Sequence, residues 1–392
     1  GDGVFKYNSL DFKVYKKEAI NNKSTLNSSF VHSLLKDKNN NIWAGTQEGL
    51  NFYSRDLDKF NSITFNEANQ NIKFAVHAIE EFNDSTLLVG THQNGLLKLN
   101  KNDYSFKRVN YKSNNSISSL LINSIVKTED EKFIVGTNQG LMTFDPYNST
   151  LQLTKFDLND KYETVESSIE SILIDNNKTL WLGTSSKGLI KITNTDDSYK
   201  IQNLMITNKR VLSLSLKQDG NILCGTENDG LFEISNKKNE IENYKFDKNI
   251  QDGIKSNSIW STYTDEKNRI WLGYYNNGID VYNENYNKFK SLRSISGYSN
   301  SLSSSSVTGI IKDDKDRLWI STTEGGIDVY DRKTSRFTNL INNKNNIANG
   351  LDKLETTSIF KDSHGNILIG TWESGFYILK KNSKRFKNIN NS

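Results

Sequence analysis

A pair of glycines that occurs eight times constrains this chain more than any other feature. The first glycine ends an apolar stretch, and the second follows four or five positions later, next to another apolar residue. The first positions are Gly45, Gly90, Gly136, Gly183, Gly225, Gly273, Ser321 in place of glycine, and Gly370. The second positions are Gly49, Gly95, Gly140, Gly188, Gly230, Gly278, Gly326 and Gly375. Intervals of 42 to 49 residues indicate repeated modules such as propeller blades or helical pairs.

Each repeat predicts four short strands. A first apolar strand, 30–35 in the first repeat, leads through an Asn-rich turn to a second strand that ends at the glycine. A third strand follows the second glycine, and a fourth surrounds an apolar residue such as Phe60, or Phe289 in the sixth repeat. Such turns favour hairpins, and the chain has one proline and no helical periodicity. The sequence therefore predicts an all-β fold, a β-propeller of four-stranded antiparallel blades.

The first residues repeat only part of this pattern. The stretch Gly1-Asp2-Gly3-Val4-Phe5 matches residues 228–232, in the loop between a second and a third strand. We therefore expect residues 1–16 to form the C-terminal half of a truncated blade and residues 17–392 to form eight repeats. We expect a segment of a longer, tandem-propeller protein that closes as a seven-bladed ring with spillover or as an eight-bladed ring.

Composition excludes several classes of function. The net charge is +4, from 50 basic and 46 acidic residues, so nothing predicts nucleic-acid binding. No stretch reaches the roughly 18 apolar residues of a membrane span, and no targeting signal stands at the start. The single cysteine, Cys224, lies in an apolar strand and is predicted to be a small buried residue. Trp43, Trp181, Trp271 and Trp319 share one position and are predicted to pack between sheets.

Three stretches, 42–53, 270–282 and 318–331, resemble the two-component regulator propeller repeat. The first has the Ile-Trp, Gly-Thr and Gly-Leu pairs of that family at 42–43, 45–46 and 49–50, and a strand that ends at Tyr53. The resemblance covers essentially the whole chain. It implies a periplasmic sensor region of a membrane-bound hybrid histidine kinase, in a family that often controls polysaccharide utilisation.

The same resemblance implies partners and location. It implies a non-catalytic region that recognises an oligosaccharide or another small ligand and relays binding to a kinase absent from this chain. A second propeller or a homodimer partner is expected, and contact with the inner membrane only through segments outside this chain. No cofactor is expected. The alternatives are a protein-interaction scaffold and a polysaccharide lyase or glycoside hydrolase.

Loops between second and third strands are the expected binding positions, because loops at one face of a propeller vary while the scaffold does not. Tyr274, Tyr275 and Trp372 place aromatic rings where other repeats have small polar residues, and Glu373 adds a carboxylate. Rings beside polar groups suit sugar recognition. His92 lies in the corresponding loop of the second repeat.

One position in the first strands is also predicted to face the ligand. It holds His32, His77, Glu170 and Trp260 in different repeats, and first strands line the channel of a propeller. Neighbouring histidines can bind a metal or transfer protons, but nothing in the spacing supplies the further ligand that a metal site needs. We therefore predict no metal site and polar residues at the channel rim. No nucleophile motif or phosphate-binding loop predicts an enzyme.

Overall fold

The computed structural model describes residues 3–7, 11–17, 26–67, 70–112, 120–158, 161–194, 198–236, 240–248, 250, 253–283, 292–340, 350–351 and 355–389. Within these ranges all regular elements are strands, which confirms the predicted all-β fold class. No helix in this described part is long and apolar enough to cross a membrane. The chain forms two compact units, Gly1–Glu284 (unit 1) and Asn285–Ser392 (unit 2).

Unit 1 contains a hairpin and six sheets. The hairpin consists of β1 (Val4–Tyr7) and β2 (Phe12–Tyr15). Sheets 1 to 3 consist of β3 (Val31–Lys36), β4 (Ile42–Thr46), β5 (Gly49–Ser54) and β6 (Lys59–Ser62); of β9 (Val76–Asn83), β10 (Thr86–Thr91), β11 (Leu96–Asn100) and β12 (Phe106–Arg108); and of β14 (Ile122–Lys127), β15 (Phe133–Thr137), β16 (Gly140–Asp145) and β17 (Thr150–Leu153). Sheets 4 to 6 consist of β20 (Ile169–Ile174), β21 (Leu180–Thr184), β22 (Leu189–Asn194) and β23 (Tyr199–Leu204); of β24 (Val211–Leu216), β25 (Ile222–Thr226), β26 (Leu231–Ile234) and β27 (Ile241–Tyr244); and of β28 (Ile259–Thr264), β29 (Ile270–Tyr274) and β30 (Ile279–Tyr282).

Unit 1 also contains shorter strands outside the four-stranded pattern. Two further hairpins are β7 (Phe65–Glu67) with β8 (Gln70–Ile72), and β18 (Phe156–Asp157) with β19 (Tyr162–Glu163). Sheet 3 has a fifth strand that the repeat did not predict, β13 (Asn110–Tyr111), which pairs with β17 in parallel. The fourth strand expected around Phe289, and residues 1, 2 and 8–10 of the predicted half-blade, lie outside the described residues.

Unit 2 contains sheets 7 and 8. They consist of β31 (Val307–Lys312), β32 (Arg317–Thr322), β33 (Gly326–Asp331) and β34 (Arg336–Asn339), and of β35 (Thr356–Lys361), β36 (Ile367–Thr371), β37 (Phe376–Leu379) and β38 (Lys387–Ile389). In both units the strands of a sheet pair in chain order, except for the added strand β13 of sheet 3. First strands of consecutive sheets contact one another, from β3 through β9, β14, β20 and β24 to β28 in unit 1, and β31 with β35 in unit 2. This is the arrangement of propeller blades.

The apolar core lies between neighbouring sheets, and it contains three of the four tryptophans predicted to pack there, Trp43, Trp181 and Trp319. The fourth, Trp271, is only half-buried. Trp43 lies between sheets 1 and 2, and Trp181 between sheets 4 and 5, each nearly without exposure. Each indole N–H donates to the aspartate that opens the preceding turn: Trp43 Nε1 to Asp37 Oδ2 at 3.0 Å and Trp181 Nε1 to Asp175 Oδ2 at 3.0 Å. The aspartate therefore accepts a hydrogen bond from the buried indole N–H, for which the apolar side chains of the core offer no acceptor.

In sheets 1 to 5 the glycine of the second strand makes room for the next sheet. A Cβ on Gly45 would lie 2.6 Å from Val76 Cγ1 in sheet 2 and 2.4 Å from Ser33 Oγ on its own partner strand. The exception at Ser321 is compensated across the strand pair, because its partner is Gly309, whereas Gly45 pairs with Ser33. One glycine in this cross-strand pair is therefore retained in sheet 7 as well.

The threonine after that glycine closes the loop to the third strand. Its hydroxyl donates to the carbonyl of the second glycine, from Thr46 to Gly49 at 3.0 Å and from Thr184 to Gly188 at 2.8 Å. The second glycines have positive φ, 135° at Gly49 and 68° at Gly188, a conformation that favours glycine. This bond closes the loop in every sheet except sheet 6, where Tyr274 replaces the threonine, and the residues between the threonine and the glycine vary.

The N-terminal hairpin packs against sheet 1. The carboxylate of Asp58, in the turn before β6, accepts hydrogen bonds from Lys6 (3.1 Å) and Tyr15 (2.6 Å), and also from Lys13 and Tyr53. These donors hold the pKa of Asp58 well below its usual range. The hairpin is thereby fixed by charge as well as by the apolar contacts of Tyr15.

Candidate functional site

The first-strand position predicted to face a ligand is a β-bulge in every sheet. In sheet 1 the pairing steps from Val31 to Ser33 and leaves out His32, and in sheet 6 it steps from Ile259 to Ser261 and leaves out Trp260. The same irregularity leaves out His77 and Glu170. A bulge turns a side chain out of the regular alternation of a strand. These bulges lie at the end of each sheet that carries the loops between second and third strands.

Backbone bonds tie these two sets of residues together. In each sheet the N–H of the first loop residue donates to the carbonyl just before the first strand. Examples are His92 N to Ala75 O at 2.9 Å and Tyr275 N to Ser258 O at 3.3 Å. A bulged side chain and a loop side chain of the same sheet therefore lie next to each other, although they are about 15 residues apart in the sequence.

Three histidines form a stack across sheets 1 and 2. The ring centroids of His32 and His77 are 4.2 Å apart with planes 18° apart, and those of His77 and His92 are 5.7 Å apart at 22°. His32 Nε2 donates to Gln47 Oε1 at 2.8 Å. The structure thus brings together three of the residues predicted to contact ligand. Among the residues that the structure describes, no group of three or more His, Cys, Asp or Glu is placed to hold a metal ion.

Stability is expected to fall in acid because of His77. Burial, helped by repulsion from His32 and His92, lowers the pKa of His77 from 6.5 to about 4. Since the folded-state pKa lies below the unfolded one, the unfolded chain takes up the proton first, and stability decreases from about pH 6.5 to about pH 4. The ring is partly solvated, so we expect a loss of about 1–2 kcal/mol.

The measurement is the unfolding midpoint of wild type and His77→Gln at several pH values between 7 and 4. The variant should lose less stability over this range than the wild type. His364→Gln, which removes an imidazole from an exposed turn in unit 2, is the matched control and should follow the wild-type profile. Parallel profiles for wild type and His77→Gln would contradict the role assigned to His77.

Glu170 is engaged by an arginine. Arg210 Nη2 lies 2.7 Å from Glu170 Oε2, and the Glu170 side chain is 9% exposed. Ser168 Oγ donates to the other carboxylate oxygen at 3.2 Å. Burial lowers the pKa of the Arg210 guanidinium, but its interactions with nearby carboxylates, chiefly the bond to Glu170, together have the larger effect in the opposite direction, so the pKa is raised above its ordinary value. Both charges are therefore compensated within the protein.

Trp260 and Tyr275 form the most exposed aromatic pair of unit 1 at this end. Their rings stack at 4.8 Å with planes 28° apart, while 43% of Trp260 and 57% of Tyr275 remain exposed. They line an open cleft of about 470 Å³ between sheets 5 and 6. Trp260 Nε1 donates to Ser258 Oγ at 3.2 Å, which fixes the ring. A flat apolar surface of two rings is thus presented to solvent in a concave setting.

Polar side chains complete this cleft. Glu227 and Asn228 come from the loop of sheet 5, and Asn276 and Asn277 from the loop of sheet 6. Asn277 Nδ2 donates to Lys255 O at 2.8 Å, which holds that loop against the chain entering sheet 6. Sequence reasoning named these loops but did not single out these four residues, because no pattern in one sequence tells which two loops border one cleft.

Tyr274 is not where the loop prediction placed it. It is the last residue of β29, it is 8% exposed, and it packs in the core between sheets 5 and 6. It stands where other repeats have the loop-closing threonine, and its hydroxyl instead donates to Asp280 Oδ2 at 2.7 Å and accepts from Lys255 N at 3.2 Å. Burial and the bond to Asp280 raise the pKa of Tyr274. Its position is therefore structural.

Trp372 and Glu373 lie in unit 2, in the loop between β36 and β37. Trp372 is 76% exposed, and its backbone N–H donates to Glu355 O at 3.2 Å. Glu373 is also exposed. The structure thus confirms an exposed loop position for both residues, and their role as ligand contacts stays a prediction.

A repeated four-stranded module with variable loops at one end defines the class of fold, and comparison with known proteins agrees. Residues 25–48 and 301–324 match the sequence model of the two component regulator propeller family. This confirms the resemblance found in the sequence.

Longer relatives extend the comparison. The chain is 26% identical over 214 residues to Histidine kinase P4 of Formosa agariphila, a match that covers 51% of this chain and 16% of that protein. Two structures from B. thetaiotaomicron share the fold, both at 18% identity over 99% of this chain. They are the extracellular domain of a proposed one component system (TM-score 0.57) and of a proposed hybrid two component system (TM-score 0.58). The chain spans 63% and 62% of these two structures, so it corresponds to part of each relative.

Proposed function

We propose that this chain is a sensor region of a membrane-bound hybrid two-component regulator, that it lies in the periplasm, and that unit 1 recognises an oligosaccharide. Support for the regulator comes from the matched repeats and from the histidine kinase relative. Support for the location comes from the two structures described as extracellular domains. The relay of binding to a kinase belongs to the same proposal.

The observation that carries sugar recognition is the exposed stack of Trp260 on Tyr275. Large aromatic rings are normally buried when they serve only packing, and exposed rings in a concave site mark binding surfaces. Apolar faces of sugar rings stack on such surfaces, while the amides of Asn228, Asn276 and Asn277 can bind hydroxyl groups as donors and as acceptors. The cleft thus combines the two kinds of contact that a glycan needs.

We propose that the cleft binds a glycan without cleaving it. Among the described residues that line the cleft, Glu227 is the only carboxylate. Glycoside hydrolysis commonly uses two carboxyl groups about 5 to 9.5 Å apart, flanking the scissile bond. The nearby Glu170 is bonded to Arg210, so it does not supply the second group in this arrangement.

Trp260→Ala is expected to weaken oligosaccharide binding at least tenfold, about 1.4 kcal/mol or more, because it removes the larger half of the stacking surface. A glycan array identifies a ligand, and titration calorimetry measures its affinity for both proteins. Tyr147→Ala, which removes an exposed ring from the turn between β16 and β17, is the control and should bind as the wild type does. Trp372→Ala is measured as well, because Trp372 is also a predicted ligand contact. Unchanged binding by Trp260→Ala, with a loss in Trp372→Ala, would move the site to unit 2.

A further inference from the structure

Negative charge exceeds positive charge around the cleft. Of the eight side chains that line it, Glu227 alone carries a charge, and the others are hydroxyl, amide or aromatic groups. The neighbouring carboxylate, Asp229, is 2.7 Å from Lys245 and is compensated there. The polar wall of the cleft therefore has a single negative charge.

The nearest cation does not cancel that charge. Arg210 Nη1 is 3.9 Å from Glu227 Oε1, but Arg210 Nη2 is 2.7 Å from Glu170 Oε2. A guanidinium forms its strong bonds with the carboxylate at hydrogen-bond distance, so one positive charge faces two negative ones. Glu170, Arg210 and Glu227 together leave a net charge of −1 beside the stacked rings.

From this we infer that the cleft selects uncharged sugars and disfavours carboxylated or sulfated ones. The inference rests on the proposed function and adds the class of ligand. Glu227 accepts hydrogen bonds from sugar hydroxyls, which a neutral glycan supplies and an anionic group cannot. A like charge about 6 Å from Glu227 lowers affinity roughly tenfold, or about 1.4 kcal/mol, at intermediate dielectric constants.

The first experiment compares ligands on the wild-type chain. Neutral hexasaccharides of glucose, mannose and xylose are measured against oligogalacturonate, oligoalginate and sulfated galactan fragments of the same length by titration calorimetry. Binding confined to neutral members and lost in Trp260→Ala supports the inference. Tighter binding of an acidic member, also lost in Trp260→Ala, overturns the inference and leaves the proposed function standing. Binding by no member at millimolar concentration counts against the proposed function itself.

The second experiment tests the residue. Glu227→Gln removes the charge and keeps the shape, so affinity for acidic fragments should rise about tenfold. Affinity for a neutral ligand should fall about threefold, because a charge-assisted hydrogen bond becomes a neutral one. Glu266→Gln makes the same change in the turn between β28 and β29, at the other end of sheet 6, and should alter neither affinity. Equal shifts for both variants, or no gain for acidic fragments in Glu227→Gln, would overturn the inference.

Discussion

Lys101→Met is expected to destabilise the protein by about 3–5 kcal/mol, because it leaves two carboxylates buried without their cation. Lys101 Nζ lies 2.5 Å from Glu81 Oε1 and 3.3 Å from Asp37 Oδ2, and the three side chains are 7%, 8% and 0% exposed. Lys101 follows the third strand of sheet 2, whereas Asp37 belongs to the first turn of sheet 1. The lysine therefore links two neighbouring blades at the end opposite to the binding loops.

Both carboxylates also accept hydrogen bonds from groups other than the lysine, so they stay buried in the Lys101→Met variant. Asp37 accepts the indole N–H of Trp43, and Glu81 Oε2 accepts the N–H of Lys38 at 2.9 Å. Although burial raises the pKa of Asp37, hydrogen bonds from Trp43 and Asn41 and the charge of Lys101 lower it below its ordinary value. The contribution of Asp37 is therefore present near neutral pH and is lost as pH falls through its lowered pKa.

Unfolding of wild type and Lys101→Met is followed by urea titration at pH 7. Lys178→Met is the matched control, because Lys178 lies 2.7 Å from Glu129 in a pair that is 73% and 79% exposed, and such pairs contribute about 0–1 kcal/mol. Adding Glu81→Gln to Lys101→Met should recover part of the loss, since it removes one of the two unpaired charges. Similar small losses in Lys101→Met and Lys178→Met would show that the cluster is not the link we describe.

The sequence predicted the scaffold because each feature of the scaffold has a local cause that recurs. Glycine at a positive φ, Asn-rich turns and an apolar alternation can be recognised in one repeat and checked in seven others. The exception at Ser321 could not be explained in this way, since the compensating Gly309 lies on the partner strand. Likewise, the aspartate that binds each tryptophan indole becomes meaningful only when the turn brings the two together.

The site was predictable in its positions and not in its contacts. The bulged position and the loop position were both identified, and these include Trp260 and Tyr275. Their stacking depends on a backbone bond that brings residues 15 apart in sequence side by side. Tyr274 shows the opposite case: it breaks the pattern of its repeat as Tyr275 does, but it substitutes for the threonine at a buried strand end. A residue that departs from the repeat pattern can therefore be recognised in the sequence, but the sequence does not tell whether its side chain is exposed in the loop or buried in the core.

Gly183→Ala is expected to lower stability by about 1–3 kcal/mol, the usual effect of forcing an extra methyl group into a packed interior. A Cβ at this position would lie 2.5 Å from Val211 O and 2.9 Å from Val211 Cγ1 in sheet 5, and 2.3 Å from Ser171 Oγ. Ser171 Oγ already donates to Val211 O at 3.0 Å. The methyl group would therefore separate two blades and break the bond that joins them.

Gly273→Ala is the same substitution at the same position of the repeat, and it should behave differently. The nearest atom to a Cβ on Gly273 is Ser261 Cβ at 3.4 Å, an ordinary contact. Alanine also has less backbone freedom to lose on folding, so this variant should be neutral or more stable by up to about 1 kcal/mol. Thermal unfolding by circular dichroism measures both variants. Equal losses would mean that the glycine serves the strand itself, and a loss confined to Gly183→Ala would mean that it serves the neighbouring blade.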